Sequence, residues 1–325
     1  HIQVNNPAEV FLACEEVGDI KQQKADDMAR QHGLLDQAGN VAIVTDSGGD
    51  IPADEVERLG IHVVPVRLSF GDREYLDGVS LTSEEFYRLL ADSDELPLTS
   101  QPPAQDFLRV YNLLVSHGYS VISVGLSQEL SGTTAAALQA AGRVESGEVE
   151  VIDSLSATAG QGLVAMVAAE AAMTGMSHDE VAALLRKVIR QTQVLGVADD
   201  LAWAVKGGRV PSVIKRITGV LHINPVLTAN DEGKMGLAGF HTGNGANPAK
   251  LARSAVRKMK EDVMYRVLIS HVDNMAGANE TRHHILEQHG RIHSCHITEA
   301  GPALGVHFGV GGLIVGFTPQ PDPLS

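Results

Sequence analysis

Cysteine, aromatic residues, positive charge and long apolar runs are all scarce in this chain, and each scarcity removes a class of protein. Cys14 and Cys295 are the only cysteines in 325 residues and do not form the closely spaced pair of a metal-ligand motif. A chain of this length buries enough apolar surface without disulfides, so a reducing cytoplasm is the expected compartment. Aromatics make up 4% of the residues and offer little for bases to stack on. With 25 Lys and Arg against 40 Asp and Glu, the formal charge of −15 repels a phosphate backbone. Nucleic acid is therefore not an expected partner. The most apolar stretch, 155–175, carries Ser156, Thr158, Gln161 and Glu170, and reads as a buried alanine-rich helix rather than an integral membrane segment. The opening His1-Ile2-Gln3-Val4-Asn5-Asn6 has no charged start followed by an apolar core, so it does not read as a signal peptide.

What is present is alternation. Apolar runs at 40–45, 61–70, 119–125 and 149–153 are strand candidates, and a polar turn and a helix start follow most of them. This pattern predicts an α/β fold with a mostly parallel sheet, whose ligand crevice lies beyond the carboxyl ends of the strands. From Gln193 the chain has more glycine and shorter apolar runs, at 194–198, 223–228, 235–240, 266–271 and 313–317, with helices expected at 246–260 and 279–289. The expected organisation is a leader over 1–40, a first α/β domain over 41–192 and a second over 193–325.

Three turns carry the chemistry. Thr99-Ser100-Gln101-Pro102, Leu126 to Thr133 and Gly301-Pro302 to His307 supply hydroxyls, an imidazole and glycines that let backbone N–H groups approach a ligand. Such groups hold an anionic head group rather than break a bond. The plain alternatives are that Thr99 and Ser131 cap helices and that His307 is a structural histidine in a glycine-rich turn. Arg209, in Lys206-Gly207-Gly208-Arg209, presents a guanidinium suited to phosphate, or else belongs to a glycine-terminated helix end; Lys215 and Arg216 extend the basic patch. His283, His284, His289, His293, Cys295 and His296 suggest a metal cluster, but adjacent histidines cannot share a helix face and no metal site is expected. Gly243-Asn244-Gly245 lacks the rest of a dinucleotide fingerprint. Leu130-Ser131-Gly132 lacks the glycine that precedes the nucleophile in a hydrolase elbow.

In their order, Val44-Thr45-Asp46-Ser47, Tyr75-Leu76-Asp77-Gly78, Thr99-Ser100-Gln101-Pro102, Leu130-Ser131-Gly132-Thr133, Asp199 to Leu201 with Lys206 to Arg209, Asn224-Pro225-Val226-Leu227 and Gly301-Pro302 through His307 to Gly312 resemble the DegV family. These are fatty-acid-binding proteins that act as the B subunit of bacterial fatty acid kinase. The resemblance implies a two-domain fold with a long-chain fatty acid between the domains. It implies carboxylate contacts from Thr99, Ser131 and His307, with Ser100 and Gly132 beside them, and places Arg209 at the phosphoryl or kinase-facing surface. It also implies a kinase subunit as partner, no catalytic residue, and no cofactor other than the bound lipid. A sixteen-carbon tail at roughly 0.8 kcal/mol per methylene supplies on the order of ten kcal/mol before ordering costs, so the head group orients more than it binds. The leader, with Asn5-Asn6-Pro7-Ala8-Glu9-Val10, Gly18 and Lys24 to Met28, resembles the end of the kinase subunit, which implies a kinase–DegV fusion. The rival reading is a hydrolase or phosphoryl transferase acting on a small anionic metabolite in the same crevice.

Overall fold

In the computed structural model, residues 7–15, 17, 40–92, 97–199, 223–243 and 245–324 are described. The strands are β1 (Val41–Asp46), β2 (His62–Val64), β3 (Arg67–Phe70), β4 (Arg73–Leu76), β5 (Leu98–Ser100), β6 (Ser120–Gly125), β7 (Val149–Asp153), β8 (Gln193–Val197), β9 (Ile223–Ala229), β10 (Met235–Thr242), β11 (Tyr265–His271), β12 (Ile292–Glu299) and β13 (Leu313–Pro319). The first sheet has the order β2-β1-β6-β7 and is parallel throughout. Its strands are joined through helices because a parallel pair needs a long crossover. β1 is buried along its whole length, which is why it is a continuous apolar run rather than an alternating one.

The six-stranded sheet, β10-β9-β8-β13-β11-β12, is antiparallel except between β11 and β12. A third, small antiparallel sheet has the order β4-β3-β5. The apolar run 61–70, expected as one unit, therefore splits: β2 joins the first sheet and β3 the small one. Pro65 lies at the break, where a residue without an N–H cannot continue a ladder. The expected helices at 246–260 and 279–289 are Pro248–Val256 and Met275–Gln288. Their starts are set by Asn247 and Asn274, whose side chains accept the N–H groups of Lys250 and Gly277.

The alanine-rich stretch forms the helix Thr158–Met173, buried nearly all round, and it touches β1 and β6 on one side and β8, β11 and β13 on the other. A helix apolar on every face is stable only when enclosed in this way. Small side chains set the approach: a Cβ on Gly162 would stand 2.3 Å from the carbonyl oxygen of Gly49. At the far end of the same helix Glu170 pairs with the buried Arg266 of β11 and with Arg58. The shared helix thus fixes the six-stranded sheet against the first. The carboxyl ends of β1, β6 and β7 carry Asp46, Leu126-Ser127 and Asp153-Ser154 to one rim.

Candidate functional site

Thr99 sits in β5, where it pairs with Leu68 of β3, and is half-buried. His307, also half-buried, lies in the last turn of the helix Pro302–Phe308. Their side chains meet, with Thr99 Oγ1 3.0 Å from His307 Nε2. Two expectations change here. Thr99 caps no helix, because the next one begins at Ala104 with Pro103 before it. His307 is helical rather than in a turn: Pro302 presets the first turn, and Gly309 follows the helix.

Ser131 opens the helix Thr133–Ala141, its Oγ 2.8 Å from Thr133 Oγ1 and accepting the Thr133 N–H at 3.3 Å. It therefore does part of a cap's work while remaining half-buried at the rim. The Ser131 turn lies against the residues following β5, since a Cβ on Gly132 would fall 1.7 Å from Gln101 Oε1. Ser100 is exposed beside them. Thr99 and His307 are in direct contact, and Gly132, next to Ser131, lies against the Gln101 side chain.

Three buried carboxyl groups hold these turns, and sequence reasoning assigned none of them a role. Asp46 accepts the N–H groups of Leu126 and Gly48 and the amide of the buried Gln161, which fixes the start of the Ser131 turn. Asp50 accepts the Gly301 N–H at 2.9 Å, and Asp77 faces the Ala303 N–H at 3.4 Å while accepting the Ser47 hydroxyl at 2.7 Å. Desolvation pushes Asp46 and Asp77 up to about 6, and it raises Asp50 well above the ordinary carboxylate range. Asp50 adopts a left-handed backbone at φ 45°, which a non-glycine residue holds only when its surroundings impose it. The visible signal was an aspartate directly after an apolar run, in Thr45-Asp46-Ser47; Asp77 follows Arg73-Glu74-Tyr75-Leu76 and Asp50 follows Ser47-Gly48-Gly49, where no apolar run marks them.

An apolar layer adjoins the Thr99–His307 pair. Leu68 of β3 and Phe86 of the helix Ser83–Asp92, between β4 and β5, pack with Leu163, Leu227, Leu268 and Phe308 in one buried cluster. It thus joins the central helix, the six-stranded sheet and the helix that carries His307. A hydroxyl and an imidazole at the edge of such a layer suit a ligand with one polar end and a long apolar remainder.

The sequence profile of the DegV family, described as an uncharacterised protein family, matches residues 40–320. The chain belongs to the DegV family. A DegV domain-containing protein of Caldanaerobacter subterraneus subsp. tengcongensis is 37% identical over 196 residues, covering 60% of this chain and 69% of that protein. Among solved structures, a DegV family protein from Thermus thermophilus, described by its fatty acid binding, is 28% identical with a TM-score of 0.78, over 86% of this chain and 100% of that one. DegV from Bacillus subtilis, described as a fatty acid binding protein, is 26% identical with a TM-score of 0.74, over 87% of this chain and 100% of that one. The α/β architecture with its parallel first sheet is that of the DegV structures.

In this DegV chain Arg209, with Lys206, Lys215 and Arg216, lies outside the described residues, as do Asn244 and residues 1–6, 16 and 18–39 of the leader. Within the leader, Pro7–Glu15 forms a helix. Four histidines of the suspected metal cluster have other partners: His283 Nε2 is 3.2 Å from Glu287, His284 lies beside Glu280, His289 Nε2 is 3.1 Å from the Lys260 carbonyl, and His296 Nδ1 is 3.9 Å from Glu55. No group of three or more metal-ligating side chains is assembled among the described residues. No helix among them is long and apolar enough to cross a membrane.

Proposed function

We propose that this DegV protein binds a long-chain fatty acid, its carboxylate held by Thr99, His307 and Ser131 and its acyl chain lodged in the apolar layer between the small and six-stranded sheets. The observation that carries this reading is the Thr99–His307 pair at the edge of that layer. The fatty acid binding described for the Thermus thermophilus and Bacillus subtilis relatives supports it. Hydroxyl donors orient a carboxylate without neutralising it, so an acid oxygen stays nucleophilic. In the reading proposed, the DegV protein presents that oxygen to a kinase subunit. The oxygen attacks the γ-phosphorus of ATP, the bond to the ADP oxygen breaks, and acyl phosphate and ADP result. Arg209 serves the kinase-facing surface or the transferring phosphoryl group, and the resemblance of the leader to a kinase-subunit end supports a kinase on the same polypeptide.

Mass spectrometry of ligand extracted from the purified protein tests the first part. A co-purified long-chain fatty acid is expected, and a polar metabolite in its place overturns the reading. Incubation with a fatty acid kinase subunit and ATP tests the second, with acyl phosphate as the expected product.

One observation favours the rival hydrolase. A threonine hydroxyl 3.0 Å from an imidazole nitrogen has the spacing of a nucleophile and its base. Acyl-ester hydrolysis that is abolished by Thr99→Ala would establish that reading. Hydrolysis absent from the wild type dismisses it.

A further inference from the structure

We propose that Asp77 is a positioning residue for the head-group site, fixing the helix that carries His307 to the strand pair that carries Thr99; this rests on the fatty-acid reading above. Asp77 directly follows β4, and its backbone N–H donates to the Val66 carbonyl at 2.9 Å. Its Oδ2 accepts the Ser47 hydroxyl, and Ser47 Oγ in turn accepts the Val66 N–H at 2.9 Å. Val66 leads into β3, whose Leu68 pairs with Thr99. Its Oδ1 faces the Ala303 N–H, one helical turn before His307, and lies so close to Gly301 that a Cβ there would stand 2.9 Å away.

These contacts form a ring. It runs from His307 back one turn to Ala303, through the Asp77 carboxyl to Ser47 and Val66, along β3 to Leu68 and across to Thr99. The Thr99–His307 hydrogen bond closes it. Asp77 is where the ring crosses between segments more than two hundred residues apart in sequence. Asp50 supports the same helix from the preceding residue through Gly301, and its own N–H donates to the Ser47 carbonyl at 3.4 Å, so it reaches Val66 only by way of Ser47, whereas Asp77 bonds both Ser47 and Val66 directly. Two acceptor atoms are what the junction needs, one for a helix amide and one for a hydroxyl. Alanine removes both. Asparagine keeps an acceptor for Ala303, and its amide can donate to Ser47 Oγ, which preserves the ring with one hydrogen bond reversed.

The test compares binding of palmitate and of methyl palmitate to the full chain by displacement of a fluorescent fatty acid. The ester keeps the acyl chain and loses the charge, so the affinity ratio isolates the head-group site from tail burial. The wild type should favour the acid roughly tenfold, the scale of one or two oriented hydrogen bonds to a charged group. Asp77→Ala should bring the ratio to within about twofold with ester affinity unchanged, and Asp77→Asn should restore most of it. Should Asp77→Ala keep the acid preference, or lose acid and ester affinity alike, the positioning role is overturned and the fatty-acid reading stands. A wild type without acid preference overturns the carboxylate site itself. Where Asp77→Ala does not fold, Ser47→Ala cuts the ring at the next link while leaving Asp77 facing Ala303; a reduced acid preference supports the role, and an unchanged one overturns it.

Discussion

Replacing Asp77 by asparagine should change how the stability of the protein depends on pH. The Asp77 carboxyl is 2% exposed and accepts bonds from Ser47 and Ala303, yet loss of water outweighs these and pushes it from an ordinary 3.8 up to about 6. A folded-state value above the unfolded one means that the folded chain holds the proton more tightly. Its stabilising effect is fully present below about 3.8 and is lost as pH rises through about 6. A shift of this size corresponds to about 3 kcal/mol of stability for one carboxyl group. Asparagine has the same shape, keeps both hydrogen bonds and cannot ionise, so its stability should lack this share of the decline. Urea unfolding at pH 4 and pH 7.5 measures the difference. The variant should match the wild type at pH 4 and exceed it by up to about 3 kcal/mol at pH 7.5. Asp46 and Asp50 titrate in both proteins, so the wild-type-minus-variant difference reports Asp77 and its coupling to them. A wild type as stable as the variant, or more so, at pH 7.5 would refute the reasoning, because the hydrogen bonds would then outweigh desolvation.

Other substitutions probe separate links. Ser131→Ala should weaken fatty acid binding by about 1 kcal/mol, because tail burial dominates, while lowering acyl phosphate formation much more through lost orientation; titration calorimetry and a coupled kinase assay separate the two. Gly162→Ala places a Cβ 2.3 Å from the Gly49 carbonyl, where backbone must move, so thermal unfolding should show a loss of about 1 to 3 kcal/mol. Arg209→Ala should leave the fold and lipid binding nearly intact while acyl phosphate production with the kinase subunit falls sharply. Arg209→Lys should recover only part of it, because an ammonium cannot hold phosphate oxygens in a planar fork. Loss of lipid with normal turnover per bound lipid would make Arg209 structural.

Alternation of apolar runs and helix starts is a local property, so the sequence by itself determined the parallel first sheet, the buried helix Thr158–Met173 and the strands β8 to β11 and β13. The resemblance to the DegV family, carried by short motifs visible in one dimension, singled out Thr99, Ser131 and His307. Sequence could not decide that Pro65 sends β2 and β3 to different sheets, since a proline marks a break without saying where the chain goes next. Nor could it place His307 on a helix, because seven residues between two glycines carry too little periodicity. The contact between Thr99 and His307 spans 208 positions, and the carboxyls that hold it in place take their character from burial. Aspartates after a strand or in a glycine turn look like ordinary solvated residues until the tertiary structure closes over them. Only then does desolvation raise Asp46, Asp50 and Asp77, and only then do they become joints between distant segments.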